Sequence, residues 1–330
     1  MALSEDDLIA RYFAPLAGPA GLGLGDDAAL LAPPPGARLV LTKDMLVAGV
    51  HFFADDPPAA IARKALRVNL SDLAAKGAEP LGFLLGLALP GPPDEAFLAA
   101  FARGLGEDAR SYGCPLLGGD TVATPGPLTL SITAFGAAGG EDMIRRGAVV
   151  AGDALFVSGT IGDAALGLRL RLSAPDDLRW IEALDAADAA FLMDRYLLPQ
   201  PRLALRAALR EHARAAMDIS DGLAGDLAKM LRLTGLAADV ALADVPLSAP
   251  ARRALALEPG LIEAALAGGD DYEILCAAAP EDAERLRAQA AASGVALTRI
   301  GTARTEEARP RFLDEAGRTL ALGRTSWGHF

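Results

Sequence analysis

Only two cysteines, Cys114 and Cys276, occur in this 330-residue chain, too few for a disulfide framework and without partners at zinc-site spacing. A reducing compartment, the cytoplasm, is the expectation that follows. Lysine is almost absent, and Lys and Arg together (31) are outnumbered by Asp and Glu (43), giving a net charge of −12. That balance argues against a nucleic-acid partner, which requires clustered cations against phosphates. The longest strongly apolar run, 81–89, stops at Pro90 and is too short to span a bilayer, and no basic-then-apolar leader opens the chain. There is no GxxxxGK[ST] loop, no serine–histidine–aspartate or cysteine–histidine order, no solenoid-length repeat and no low-complexity segment.

What is present is apolar bulk and a recurring acidic pattern. At 52% hydrophobic content the chain can bury a large core, and its length suits two domains. The pattern begins at Gly21-Leu22-Gly23-Leu24-Gly25-Asp26-Asp27, where alternating glycines run into paired aspartates. It is not the dinucleotide fingerprint, because GxGxxG needs glycine where Asp26 stands. Taken alone it reads as an acidic turn. It recurs, however, as Thr42-Lys43-Asp44, Leu70-Ser71-Asp72-Leu73, Gly118-Gly119-Asp120-Thr121, Asp218-Ile219-Ser220-Asp221-Gly222 and Gly268-Gly269-Asp270-Asp271-Tyr272-Glu273. Each sits at the edge of an apolar segment, where a loop opens from a core element. Aspartates so placed suit a polyphosphate held through magnesium, a hard cation that takes oxygen ligands.

The periodicities place these clusters. A short helix is expected over 4–13 with Ser4 as its cap, and a strand over 38–42. If that strand continues, Thr42 and Asp44 share one face and Lys43 takes the other. His51 follows in Gly49-Val50-His51-Phe52. A helix over 57–78 has Ile61, Leu66, Leu70, Leu73 and Ala74 as its apolar stripe, with Asn69, Asp72 and Lys76 beside it. The plainer reading of Asp72 is an exposed pair with Lys76, worth about 0.3–0.5 kcal/mol. A buried strand over 81–89, a helix over 94–112 and a short strand over 115–117 come next. The last would deliver Gly118-Gly119-Asp120-Thr121 at its carboxyl end, where α/β sheets bind ligands. A strand over 128–135 closes the first half. In the second half, strands are expected over 154–157, 274–277 and 295–300, and helices up to His212 and over 223–233 and 280–293. Asp221 alone reads as a helix cap; Asp218 has no such explanation. His212, in a charged helix, reads as solvated.

In order and spacing, Gly25-Asp26-Asp27-Ala28-Ala29, Asp44 with His51-Phe52, Val68-Asn69-Leu70-Ser71-Asp72, Gly118-Gly119-Asp120-Thr121, Asp218-Ile219-Ser220-Asp221-Gly222 and Gly269-Asp270-Asp271-Tyr272-Glu273 resemble the thiamine-monophosphate kinase family. The resemblance runs to the terminal His329-Phe330. It implies an aminoimidazole ribonucleotide synthetase-like fold: a ferredoxin-like α/β domain over 1–148, which carries nucleotide, metal and dimer contacts and pairs with its partner's sheet into a barrel, and an α+β domain over 149–330. It further implies a homodimer that uses ATP and several magnesium ions to turn thiamine monophosphate into thiamine diphosphate by direct transfer. By position, Asp27, Thr42, Asp44, Asp72, Asp120, Asp218 and Asp221 would hold magnesium. Tyr112, Gly119, Asp120, Arg145 and Ser220 would contact ATP, and His51, Asp270 and Trp327 the thiamine substrate. Two positions depart from the family pattern: Lys43 replaces Thr or Ser, and Asp270 replaces Glu. The related selenophosphate and hydrogenase-maturation branches carry reactive cysteines near a terminus, whereas Cys114 and Cys276 are internal. A nucleotide-binding or metal-buffering module without catalysis is the reading from a different class.

Overall fold

The computed structural model describes residues 4–91, 94–139, 142–305 and 309–328. The terminal His329-Phe330 of the resemblance lies outside them. Contacts divide the chain into two compact units, Met1–Leu73 with Ala78–Met143, and Ala74–Gly77 with Ile144–Phe330. Each is a mixed α+β structure with a four-stranded sheet.

The first unit opens with one helical turn, α1 (Glu5–Leu8), continued as a wider turn over Ile9–Phe13. The expected helix over 4–13 is therefore a single turn of regular α-helix, capped by the Ser4 hydroxyl on the Asp7 amide. Then come β1 (Ala37–Val47), α2 (Pro58–Ala75), β2 (Glu79–Leu89), α3 (Glu95–Ser111), β3 (Leu116–Ala123) and β4 (Thr129–Gly139). The sheet order is β1-β4-β2-β3, with β4 antiparallel to both β1 and β2, and β2 parallel to β3. Burial alternates along β2 and β4, so one side of the sheet is covered. The cover is α2 and α3: Leu66, Leu70 and Leu73 of the expected stripe are buried, as are Leu98, Phe101 and Leu105. A Cβ on Gly136 of β4 would meet Leu73, and one on Gly104 of α3 the backbone of Ala59 in α2, which fixes the order of layers. The other side of the sheet is open, and Leu41 and Met45 of β1 are 60% and 52% exposed there.

The second unit contains β5 (Ala154–Ser158), α4 (Asp163–Leu172), α5 (Leu178–Ala183), α6 (Ala186–Leu197), α7 (Arg206–His212), β6 (Ala215–Asp218), α8 (Leu223–Arg232), β7 (Asp239–Ala241), α9 (Ala249–Leu257), α10 (Leu261–Ala267), β8 (Ile274–Ala278), α11 (Ala283–Ala292), β9 (Leu297–Thr302) and β10 (Arg311–Leu313). Its main sheet runs β6-β8-β5-β9, all antiparallel, and β5 and β8 are buried throughout. Leu155, Val157, Met217, Leu227, Leu231 and Leu275 belong to its core. His212 is not solvated: its side chain is 12% exposed and lies 3.7 Å from Glu211 and 4.0 Å from Asp282. The helix period marks a charged segment but leaves open which flank packs. No helix of the described residues is long and apolar enough to cross a membrane.

Candidate functional site

On the open side of the first unit's sheet lies a cavity of about 960 Å³, lined by Asp26, Asp27, Gly118, Gly119, Asp120 and Thr133 among others. The glycine-rich segment reaches it by packing directly on β3: the Gly18 amide donates to the Leu116 carbonyl (2.9 Å), and a Cβ on Gly21 would stand 2.8 Å from the Leu117 carbonyl oxygen. The expected strand over 115–117 does not end there. β3 runs to Ala123, so Gly118-Gly119-Asp120-Thr121 lies inside the strand rather than on a loop beyond it. The reason is at Gly119, where a Cβ would fall 2.0 Å from the Leu85 carbonyl oxygen. Glycine here permits close strand approach instead of breaking the strand.

A second group forms on the covered side. Val40, Thr42, Asp44 and Leu46 alternate with exposed Leu41, Lys43 and Met45, as the strand period requires. The Thr42 hydroxyl donates to Asp72 of α2, and the Asp44 amide donates to the Asn69 side chain (3.1 Å). Lys76, which belongs to the second unit, donates to that unit's Ala216 carbonyl (2.9 Å) and not to Asp72. Nearby in sequence, the Val47 amide donates to Nδ1 of His51 (3.0 Å). A neutral His51 therefore carries its proton on Nε2, which is the atom able to donate to a ligand. Tyr112, closing α3, lies under the Arg67 guanidinium (5.7 Å), which is itself held by Asp108 (2.5 and 3.0 Å).

The second unit gathers Asp218, Ser220, Asp221, Asp270 and Trp327 around one turn. Asp218 ends β6, and the chain turns through Ser220 and Asp221 into α8. The Asp270 amide donates to the Ser220 carbonyl (2.9 Å), and the Trp327 amide to the Asp221 carbonyl (3.0 Å). Asp221 does not cap α8; Gly222 occupies that position without a side-chain bond, at φ 103°. Instead the Asp221 carboxylate takes an ion pair from Lys229, which also bonds Asp226 (2.9 Å). Burial presses the Lys229 ammonium down, but its bonds to Asp221 and Asp226 outweigh this and hold it above the ordinary lysine range. Burial likewise raises the Asp226 carboxyl, with Lys229 opposing. Arg145 is exposed in the same unit.

The predicted ligand residues thus fall into three groups: Asp27 with Asp120, Thr42 with Asp44 and Asp72, and Asp218 with Asp221. Among the described residues no three His, Cys, Asp or Glu side chains converge as a metal cluster. The donor set still fits magnesium. All the predicted ligands offer oxygen, and Asp27, Asp72 and Asp120 have no Lys or Arg partner among the described residues. Both cysteines are buried, and burial pushes each thiol up to about 12, so neither is a ready nucleophile.

Sequence reasoning passed over one group of residues. Glu273, entirely buried, accepts from Ser158 (2.5 Å), Arg195 (3.0 Å) and Arg202 (2.6 Å). Asp271 beside it accepts from the Gly162 amide at 2.9 and 3.0 Å. The one available signal was two acids, Asp271 and Glu273, running straight into an apolar strand.

Residues 25–138 match the AIR synthase related protein N-terminal domain, and residues 150–310 match the corresponding C-terminal domain. A thiamine-monophosphate kinase of Caulobacter vibrioides is 45% identical over 99% of this chain and 91% of its own length. The crystal structure of thiamine-monophosphate kinase from Stenotrophomonas maltophilia superposes with a TM-score of 0.81 at 38% identity, covering 97% of this chain and 99% of that one. AaThiL complexed with AMPPCP and TMP superposes at 0.77 with 28% identity, over 100% and 99% of the two chains.

Proposed function

The chain belongs to the thiamine-monophosphate kinase family, and from that premise we propose that it transfers the γ-phosphoryl group of ATP to thiamine monophosphate, giving thiamine diphosphate and ADP. The observation that carries this reading is the set of carboxylates, Asp27, Asp72 and Asp120, that meet no cation from within the described residues. Bare ATP is repelled by such a surface; ATP with magnesium is not.

Asp27, Thr42, Asp44, Asp72, Asp120, Asp218 and Asp221 hold magnesium in this proposal. When bound, the ions neutralise the phosphate oxygens and stabilise the charge of the transferring group. Tyr112, Gly119, Asp120, Arg145 and Ser220 take ATP, with the Arg145 guanidinium on phosphate oxygens. His51, through Nε2, Asp270 and Trp327 take thiamine monophosphate. The acceptor is a phosphate oxygen that is already anionic, so the protein's task is alignment and no general base is needed.

The enzyme is further proposed to act in the cytoplasm as a homodimer, with nucleotide, metal and dimer contacts in 1–148. The open sheet face, with exposed Leu39, Leu41, Met45 and Val122, supports pairing with a second copy, and a sheet joined to its partner's forms the barrel of a ferredoxin-like dimer. Light scattering on wild type and Leu41→Glu checks this: a dimer that becomes a monomer is expected.

Incubation of the purified protein with ATP, magnesium and thiamine monophosphate, followed by chromatography for thiamine diphosphate, tests the activity. Product that depends on magnesium and disappears with a chelator is expected. ADP formed only with selenide or a carbamoylated cysteine peptide would move the chain to another branch, and no ADP at all would favour a binding module.

A further inference from the structure

Immediately before β8 the backbone is left-handed at Gly269 (φ 80°), Asp270 (φ 65°) and Tyr272 (φ 49°). Aspartate tolerates that region at some cost, and a bulky tyrosine is rarer still, so the segment must be held by its surroundings. A Cβ on Gly269 would stand 2.6 Å from the Ser220 carbonyl oxygen, which makes glycine obligatory for this approach. Backbone bonds in both directions tie the segment to residues 219–220: Asp270 amide to Ser220 carbonyl (2.9 Å), Tyr272 amide to Ile219 carbonyl (2.8 Å), and Ile219 amide to Glu273 carbonyl (2.8 Å). Asp271 is tied down through its carboxylate to the Gly162 amide.

The far end of the segment is fixed by Glu273. Its carboxylate, fully buried, is shared by Arg195 of α6 and Arg202 beyond it, and by Ser158 of β5, whose oxygen also accepts from the Ile274 amide (2.7 Å). Both guanidinium groups bind the one carboxylate of Glu273, with buried Asp163 and Asp271 close by, and burial of ions is costly unless geometry is well satisfied. A well-packed apolar group would serve stability as well.

We propose that Glu273, clamped by Arg195 and Arg202, is a positioning residue that holds Asp270 in its left-handed conformation for the cationic thiamine moiety. The inference rests on the reading of Asp270 as a contact to thiamine monophosphate. The clamp immobilises the chain three residues on from Asp270 and two on from Asp271, so loss of either arginine lets the segment relax toward ordinary φ values, carrying the Asp270 carboxylate with it.

The test combines steady-state kinetics with amide hydrogen exchange on wild type, Glu273→Gln, Arg202→Met and Arg202→Lys. For Glu273→Gln and Arg202→Met, the KM for thiamine monophosphate is expected to rise about ten- to a hundredfold, the range that small misplacement of a substrate contact produces. The KM for ATP should change by less than about threefold, and the Asp270 and Tyr272 amides should exchange faster. Arg202→Lys, which keeps the charge, should recover most of the loss. A wild-type KM for thiamine monophosphate in Arg202→Met overturns the inference, as does an equal rise in both KM values, which marks a merely structural role. Arg202 is partly exposed, so its variants carry the test if Glu273→Gln does not fold. Should the wild type itself leave thiamine monophosphate unconsumed, the proposed function fails, while unchanged exchange at Asp270 and Tyr272 in the variants refutes the clamp separately.

Discussion

The two units present their aspartates by opposite means. In the first, Asp44 and Asp120 project from strands, and Asp27 follows a glycine segment packed on β3; Asp27 and Asp120 meet no cation among the described residues. In the second, Asp221 is paired with Lys229, and Asp270 sits on a left-handed segment anchored by a buried ion cluster. Charge left uncompensated on a stiff sheet is available to an incoming cation. Charge compensated within the protein is held in place instead, and its value lies in where it points. The proposed labour follows: the first unit contributes most to cation binding, the second to aligning the groups that react.

The sharpest way to break this contrast is Asp120→Asn. The side chain is exposed and has no hydrogen-bond or ion-pair partner among the described residues, so its removal touches no core contact, and the fold should be kept with stability within about 0.5 kcal/mol. Turnover should fall at least about a hundredfold, as for loss of a group aimed at developing charge. Thermal unfolding beside single-turnover rates reads both. Near-normal turnover would return Asp120 to the surface of an ordinary strand.

Much of the first unit was legible because its signals are local. The stripe Ile61, Leu66, Leu70, Leu73 predicted a buried helix face, and the alternation around Thr42 predicted which side chains share a side. β3 was cut short because glycine pairs read as turns, whereas Gly119 serves the approach to Leu85, a fact about the neighbouring strand. The clamp in the second unit was not legible at all. Glu273 finds Ser158, Arg195 and Arg202 at sequence separations of 115, 78 and 71 residues, and no periodicity encodes such partners. The cluster of Asp218, Ser220, Asp221 and Asp270 could be named by resemblance, but the positive φ at Asp270 that presents it depends on the same distant contacts.

Lys229→Met tests the compensated side. It strips the cation from Asp221 and from buried Asp226, and a buried charge left unpaired costs roughly 1–3 kcal/mol, here toward the low end because Lys229 is partly exposed. Denaturant unfolding should show that loss. If Asp221 then behaves like Asp120, the magnesium needed for half-maximal rate should fall rather than rise. An unchanged requirement would mean that the pair leaves the cation's affinity alone.

Asp271→Asn is smaller and depends on pH. Burial raises the Asp271 carboxyl well above the usual carboxylate range; the Gly162 amide opposes this, and nearby Asp163 and Glu273 add to it. A raised native value means that the folded chain binds the extra proton. This stabilisation is full below the unfolded value of about 3.9 and is lost as pH rises from there through the native value. Asparagine keeps an acceptor for the Gly162 amide without a titrating group. The variant should therefore gain on the wild type as pH is raised through that range, seen as diverging Tm values across a pH series. Parallel curves would show that Asp271 does not titrate there.

The least effect is expected at Lys43, the departure nearest a proposed cation site. Lys43 is exposed on the side of β1 that carries Leu41 and Met45, and it pairs across the strand with Thr133, whereas Thr42 and Asp44 face Asp72 and Asn69. Its ammonium therefore points away from Asp44 and Asp72, toward the open side of the sheet that carries Asp120, and the backbone there is unaltered by the side chain. Lys43→Thr should change turnover by less than about twofold, the scale of a surface substitution within ±0.5 kcal/mol. Asp44→Asn, one residue on and on the other side, should raise the magnesium concentration for half-maximal rate about tenfold or more, the loss expected when a carboxylate that positions a cation is neutralised. The rival is that the Lys43 ammonium takes the place of one ion, in which case Lys43→Thr creates a new magnesium requirement. Titrations of both variants against wild type, at fixed ATP and thiamine monophosphate, separate these outcomes, and a large shift for Lys43→Thr would mean that its ammonium acts on a cation from the open side of the sheet.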